Sequence, residues 1–268
     1  MRFVAYAPGM ARDDVLSVDG IAPTGPNLSH WPGNRTPVAL RADTSTEILL
    51  KAIALPDVWS VLKREVVTNN HYDTDGLLSV WAALNPVWAR QHSALLCDAA
   101  WAGDLSRFTS REAVILDLCV AGLNEHPKSP LASELAGLPA DSPERLARVF
   151  AHALEHLPEL VARPERYRPL WEEGLAAAEA GFEAFESGRA KLIAIEPLID
   201  LVAIQSEAPL APLAFRTRAP RARTLLCIGR PGRWSYRFRD EIESWFDLQT
   251  VRTPARVPLA PLTQTLTK

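Results

Sequence analysis

An α/β fold is what this 268-residue sequence predicts: a doubly wound, mainly parallel sheet with a helical middle section and a second, smaller β-rich domain. Three features point to it. Val66 and Val67 end a short apolar run, and after a polar turn Leu77, Leu78, Trp81 and Leu84 recur at helical spacing, a strand-to-helix step typical of parallel sheets. Through the middle third the apolar positions keep a helical period. Beyond Ser187-Gly188 the pattern switches to short runs, K-L-I-A-I-E-P, L-V-A-I-Q-S, T-L-L-C-I-G and W-S-Y-R-F-R, separated by proline and glycine, which read as successive strands.

In chain order, Phe3 to Tyr6 and Val15 to Val18 read as short strands, ended by the turn pairs Pro8-Gly9 and Asp19-Gly20 and expected to pair as edge strands. The loop from Ile21 to Pro37 is rich in proline, glycine and asparagine yet holds His30 and Trp31. Asp43 or Thr44 caps the helix that follows, with Glu47 three residues after Thr44 completing a capping box. After Pro86, residues Ser93 to Trp101 continue as a helix that Gly103-Asp104 ends, with Asp104 capping the next segment. Arg111 to Leu123, Glu144 to Leu157 and Glu165 to Glu186 complete the helical section. A boundary near Gly188 divides an α/β domain (1–188) from an arginine-rich α+β domain (189–268). S-W-F-D-L-Q-T is read as its last strand and Leu259 to Leu266 as a closing helix.

A net charge of −3 gives no overall field for nucleic acid or membrane binding, and 47% hydrophobic residues is the content of a globular domain. Cys97, Cys119 and Cys227 are odd in number and widely separated, which excludes a disulfide framework and points to a reduced, cytoplasmic setting. The apolar run at the N-terminus is too short for a signal peptide. The longest later one, Leu192 to Ile204, is broken by Glu196 and Asp200, so no membrane helix is expected.

The chemistry concentrates between Val66 and Ser79, V-V-T-N-N-H-Y-D-T-D-G-L-L-S. Open α/β sheets bind ligands at the carboxyl ends of their strands. His71, Asp73 and Asp75 there form a ligand set for Mn²⁺ or Mg²⁺, and two ions about 3.5–4 Å apart would clamp a phosphoester. Asn69, Asn70 and His30 would position substrate or water, and Ser79, one turn into the helix, would reach the same anion. Asp98 and Asp104 are the candidates for a further ligand, and Asp98, in the apolar stretch A-L-L-C-D-A-A-W, is preferred over Asp104, which reads more simply as a cap. H-x-D-x-D-G imitates an EF-hand, but position one is His71 and position twelve is Ala82, so the loop fails as one. Capping alone would use one carboxylate and would leave His71 unexplained. H-A-L-E-H at His152 to His156 is a weaker rival, a zinc-peptidase pattern with no third ligand. In the C-terminal part Arg233, Arg237 and Arg239 alternate with Trp234, Tyr236 and Phe238, which puts a basic face towards phosphate and an aromatic face into the core.

N-N-H-Y-D-T-D-G-L-L-S resembles the first motif of the DHH phosphoesterases, H-x-D-x-D-G-x-x-S at a strand-to-helix turn. The resemblance implies that His71, Asp73 and Asp75 bind manganese or magnesium, that Asp98 stands for the aspartate of the second motif, and that the smaller domain binds substrate. It covers about one twentieth of the chain. The Asp-His-His triplet has no counterpart, since no two histidines are adjacent. L-S-H-W-P-G and N-N-H-Y-D-T-D-G also resemble segments of an uncharacterised bacterial family of unknown function, which implies no activity. The expected function is therefore metal-dependent hydrolysis of a small phosphoester or nucleotide. A non-catalytic module that binds a nucleotide or a partner on the same fold is the alternative, and nucleic-acid binding by the basic face is the least favoured.

Overall fold

A computed structural model describes residues 1–10, 12–55, 62–140, 142–230, 233–239 and 245–250. The first sheet has four parallel strands, β1 (Arg2–Phe3), β2 (Val15–Val18), β3 (Asn27–Leu28) and β4 (Val66–Thr68), in spatial order β1-β4-β2-β3. β1 and β2 do not pair with each other, against the sequence reading. β4 lies between them, and all four residues of β2 are buried, as an interior strand requires. The ladder runs on past β1 through the Tyr6 amide, which donates to the Asn69 carbonyl. Because all four strands are parallel, their carboxyl ends share one edge of the sheet.

The helices are α1 (Ser45–Ala54), α2 (Thr74–Leu84), α3 (Pro86–Gln91), α4 (Ser93–Leu105), α5 (Arg111–Glu125), the short α6 (Ala132–Leu135), α7 (Pro143–Ala162) and α8 (Arg168–Glu186). Their starts follow from local chemistry: the Thr44–Glu47 capping box on α1, Asp73 accepting from the Gly76 amide on α2, Ser110 on α5 and Ser142 on α7. α4 does not stop at Gly103. It continues to Leu105 and is closed by Ser106 in the left-handed region, so Asp104 stands inside α4 and caps nothing. One apolar core joins the sheet to these helices through Leu16, Val67, Leu77, Leu96, Val114, Phe150 and Trp171. Among the described residues no helix is long and apolar enough to cross a membrane.

The chain leaves α8 through Gly188 (φ +77°) and enters a second sheet of β5 (Ala190–Glu196), β6 (Leu201–Ser206), β7 (Arg223–Arg230) and β8 (Arg233–Arg239), in that order. The outer pairs are antiparallel, and β6–β7 is parallel with α9 (Pro212–Arg218) as its crossover. The fold is thus α/β, a parallel sheet with helices followed by a smaller mixed sheet. Phe215 of α9 packs on Val202, Ile204, Leu226 and Ile228 to make a small second core.

Two expectations fail here. On β8, Tyr236 and Phe238 are exposed, because they pair with Cys227 and Leu225 on the face that α9 does not cover. Residues 245–250 form no strand and instead pack against the loop that carries His30. The helix expected at 259–266 lies outside the described residues.

α9 reaches α8 only because Gly181 has no side chain: a Cβ there would sit 2.5 Å from the Ala214 Cβ. Gly181→Val should therefore push α9 off α8 and cost about 1–3 kcal/mol. Urea unfolding would show the loss as an earlier midpoint, and an unchanged midpoint would contradict the packing described.

Candidate metal centre

The carboxyl ends of β2, β3 and β4 deliver Asp19, His30 and the Asn69–Asp75 loop to one place. Asn69 ties the strands together. Its buried amide donates to the carbonyls of Val18 (3.2 Å) and Asp19 (3.1 Å), and its Oδ1 accepts from the His71 amide at 2.7 Å. The loop is pinned from the other side by Tyr72, whose hydroxyl donates to the Val120 carbonyl.

Asp19 is the centre of the cluster. It is 1% exposed and adopts a left-handed backbone (φ +44°), a conformation that costs energy for a residue other than glycine. Its two carboxylate oxygens face different histidines. Oδ1 lies 3.4 Å from His30 Nε2 and accepts from Ser45 Oγ (2.8 Å) and Trp31 Nε1 (3.2 Å), whereas Oδ2 lies 3.1 Å from His71 Nε2.

Each histidine is oriented through its other nitrogen. His30 Nδ1 donates to the Asp43 carbonyl at 2.5 Å, which leaves Nε2 pointing at Asp19, at Asp104 (3.2 Å) and at Asp75 (3.6 Å). His71 Nδ1 meets Asn70 Oδ1 at 2.9 Å, which leaves Nε2 facing Asp19 and Asp73 (3.0 Å). Two ligand groups result, Asp19–His30–Asp75–Asp104, all buried, and Asp19–His71–Asp73, which opens to solvent. Within each, the ligand atoms lie within 4.8 Å of one another. His30 Nε2 and Asp19 Oδ2 are buried and have no properly formed hydrogen bond, as expected of atoms whose partner is a cation. An imidazole held by Nδ1–H with Nε2 turned to carboxylates is the usual arrangement of a metal-binding histidine.

Asp75 has a second task. Its two oxygens accept the Ser45 and Thr46 amides at 2.6 and 2.7 Å, so it caps α1 across the site while α2 begins around it. Gly76 lets the first turn of α2 come close to the strand ends: a Cβ there would come within 2.7 Å of Asn69 Nδ2 and 3.2 Å of Asp19 Oδ2.

The charges are strongly coupled. Burial would raise Asp19, but the His30 and His71 imidazoles facing it hold its carboxyl well below the usual range. Burial and the Asp19 charge push Asp75 up to about 7, and burial with the Asp75 charge pushes Asp104 well above its ordinary value. Burial would lower His71, yet Asp73 and Asp19 push it up to about 12, and His30 is likewise raised by Asp104, Asp19 and Asp75. Without a cation, both histidines therefore neutralise the carboxylates as imidazoliums.

Phe246 stacks on the His30 ring with centroids 4.1 Å apart, and the Asp247 amide donates to the His30 carbonyl. The amides of Gln249 and Thr250 and the Thr250 hydroxyl donate to the Asp43 carboxylate. This strap covers the buried group. Two cavities flank the outer one. The first, of about 390 Å³, is lined by Asp73, Asp104, Asp117 and Phe246; the second, of about 290 Å³, by His71, Asn70 and Arg145, and Tyr72, Asn124 and Glu125 line both.

The match to a single family model runs over residues 1–268. The chain belongs to DUF6687, a family of unknown function. No curated protein and no solved structure matches it.

In this DUF6687 chain the structure brings together His30, His71, Asp73 and Asp75 of the residues singled out in the sequence. Asn70 orients His71, and Asn69 is spent on backbone groups. Ser79 is fully buried with its hydroxyl donating to the Gly76 carbonyl, so it faces no anion. Asp98 is half-buried on α4, outside both ligand groups, because helical spacing turns Asp104 and not Asp98 towards His30. Arg233, Arg237 and Arg239 lie along β8 and line neither cavity. His152 and His156 stack on each other, with His156 Nδ1 on the His152 carbonyl, and join no ligand group. Asp19 is absent from the sequence reading, although Asp19-Gly20 directly follows a buried strand, as the His71 loop does, and that parallel is the available signal; Asp104, a ligand candidate set aside as a cap because it follows Gly103, is the one that reaches His30.

A cation must displace the Nε2 protons of both imidazoliums, so binding should release protons and weaken as the pH falls. Calorimetric titration of metal-free protein with Mn²⁺ in buffers of different ionisation enthalpy checks this. Heats that do not depend on the buffer would contradict it.

Proposed function

We propose that this protein is a metal-dependent phosphohydrolase acting on a small phosphoester or nucleotide, with Mn²⁺ or Mg²⁺ held in two adjacent positions. Asp19, His30, Asp75 and Asp104 would hold the inner ion, and Asp19, His71 and Asp73 the outer one. The observation that supports the reading is the Asp19 carboxylate, which turns one oxygen to each histidine and so stands as a bridging ligand. An oxygen-rich set with one imidazole per position suits manganese or magnesium. When bound, such ions supply Lewis-acid polarisation of a phosphoryl oxygen and lower the pKa of a water nucleophile.

The remaining roles belong to the chain. His71 and Asp73 lie where the site meets solvent, so the outer position is the one a substrate reaches. The two cavities beside it have room for the rest of a small ester. Burial pushes Asp117 up to about 7 against the lowering effect of the hydrogen bond from Thr74 (2.5 Å), so about half of it carries a proton near neutral pH, on the wall of the larger cavity where a leaving oxygen needs one. The DHH-like first motif is consistent with this reading, with Asp19, His30 and Asp104 in place of the missing triplet.

Two observations favour the non-catalytic alternative. The strap at Phe246 closes the inner group, and Asp75 is already satisfied by two α1 amides, as in a site that only binds. Manganese-dependent hydrolysis of an aryl phosphate and a dinucleotide panel separates the two. Asp19→Asn and Asp73→Asn should each lower turnover by about a hundredfold or more. Metal-loaded wild type without turnover on the panel would favour the binder, and equal rates in wild type and both variants would sink the phosphohydrolase reading.

A further inference from the structure

The strongest feature outside the metal centre is the free edge of the second sheet. Among the described residues β5 is the outermost strand on its side. Within eight residues the chain exposes Leu192, Ile193, Ile195, Leu198 and Ile199, with Leu198 99% exposed. An apolar edge strand left open is a template for further pairing, and a contiguous apolar patch marks an interaction surface.

The strand is also complementary to itself. Leu192 pairs with Ile204 and Ile195 with Val202, so these two side chains share the face that carries the small core. Lys191 pairs with Gln205 and Glu196 with Leu201, on the opposite face. Run β5 antiparallel to a second copy about a two-fold axis between Ile193 and Ala194, and Leu192 falls opposite Ile195 while Lys191 falls opposite Glu196. The apolar stripe then continues from one small core into the other, and a salt bridge closes each end. The bulge between Leu192 and Ala194 does not break this register, because both strands carry the same extra residue at the axis.

We propose that the β5 edge is a homodimer interface, in which a second copy of this chain pairs antiparallel through residues 190–196 to make one continuous sheet. An isologous contact of this kind needs each residue to meet its complement across the axis, and the Lys191–Glu196 spacing supplies it. The inference is independent of the phosphohydrolase reading and uses none of its residues.

Sedimentation velocity of the full chain across a concentration series tests it. Wild type should dimerise. Lys191→Glu and Glu196→Lys should each weaken dimerisation by about tenfold or more, since each places like charges opposite one another at both ends of the interface. The double variant Lys191→Glu/Glu196→Lys restores opposite charges and should return the wild-type dissociation constant. Both side chains are exposed, so at a concentration where wild type is monomeric thermal melts of the variants should match it. A monomer at every concentration would overturn the proposal. So would a dimer indifferent to both single reversals, or single-variant losses that the double variant does not recover.

Discussion

One carboxylate shared by two histidines sets the terms for the rest of the first sheet. Holding Asp19, Asp75 and Asp104 in a dry interior is unfavourable unless positive charge meets them there. The strands that present this edge are only two to four residues long, and polar groups at their ends add to the backbone pairing that sets their register. Asn69 bridges two strand ends, His30 reaches the Asp43 carbonyl, and Asp75 caps α1. The ligand cluster and the folding of the sheet edge are therefore one construction, in which removing the central charge would leave several buried partners unmatched. The left-handed backbone at Asp19 is a strain of the kind that persists where a function holds it in place.

The same arrangement explains why two positions of different character share one bridging residue. The inner group lies under Phe246 and its four ligands are buried, so an ion there would exchange slowly and act as part of the structure. The outer group ends at His71 and Asp73, 29% and 41% exposed at their side chains, and meets two cavities. On the proposed reading, chemistry would take place at the outer position, and the inner one would fix Asp19 for it.

Much of this was legible in the sequence, and the failures have physical causes. The turn at His71–Asp75 could be read because its ligands are consecutive and lie between a β-branched pair and a helical period. Asp19 and His30 come from other strands, and nothing local says that β2, β3 and β4 end side by side; only parallel pairing does. Asp98 was chosen because a carboxylate in an apolar run is costly, but a half-buried helix face accommodates it, while Asp104, beside a glycine, looked like a cap. On β8 alternation predicted the two faces correctly and assigned the core to the wrong one, since which face is covered depends on where α9 packs. The switch of pattern after Gly188 was visible because a change from helical to strand period is a property of the chain itself.

The central claim is that Asp19 bridges two cations. Crystals grown with manganese and measured at its absorption edge would test this most directly. The account predicts two anomalous peaks, one between Asp19, His30, Asp75 and Asp104 and the other between Asp19, His71 and Asp73. No peak at either position, with His30 and His71 still paired to the carboxylates in the presence of manganese, would contradict it.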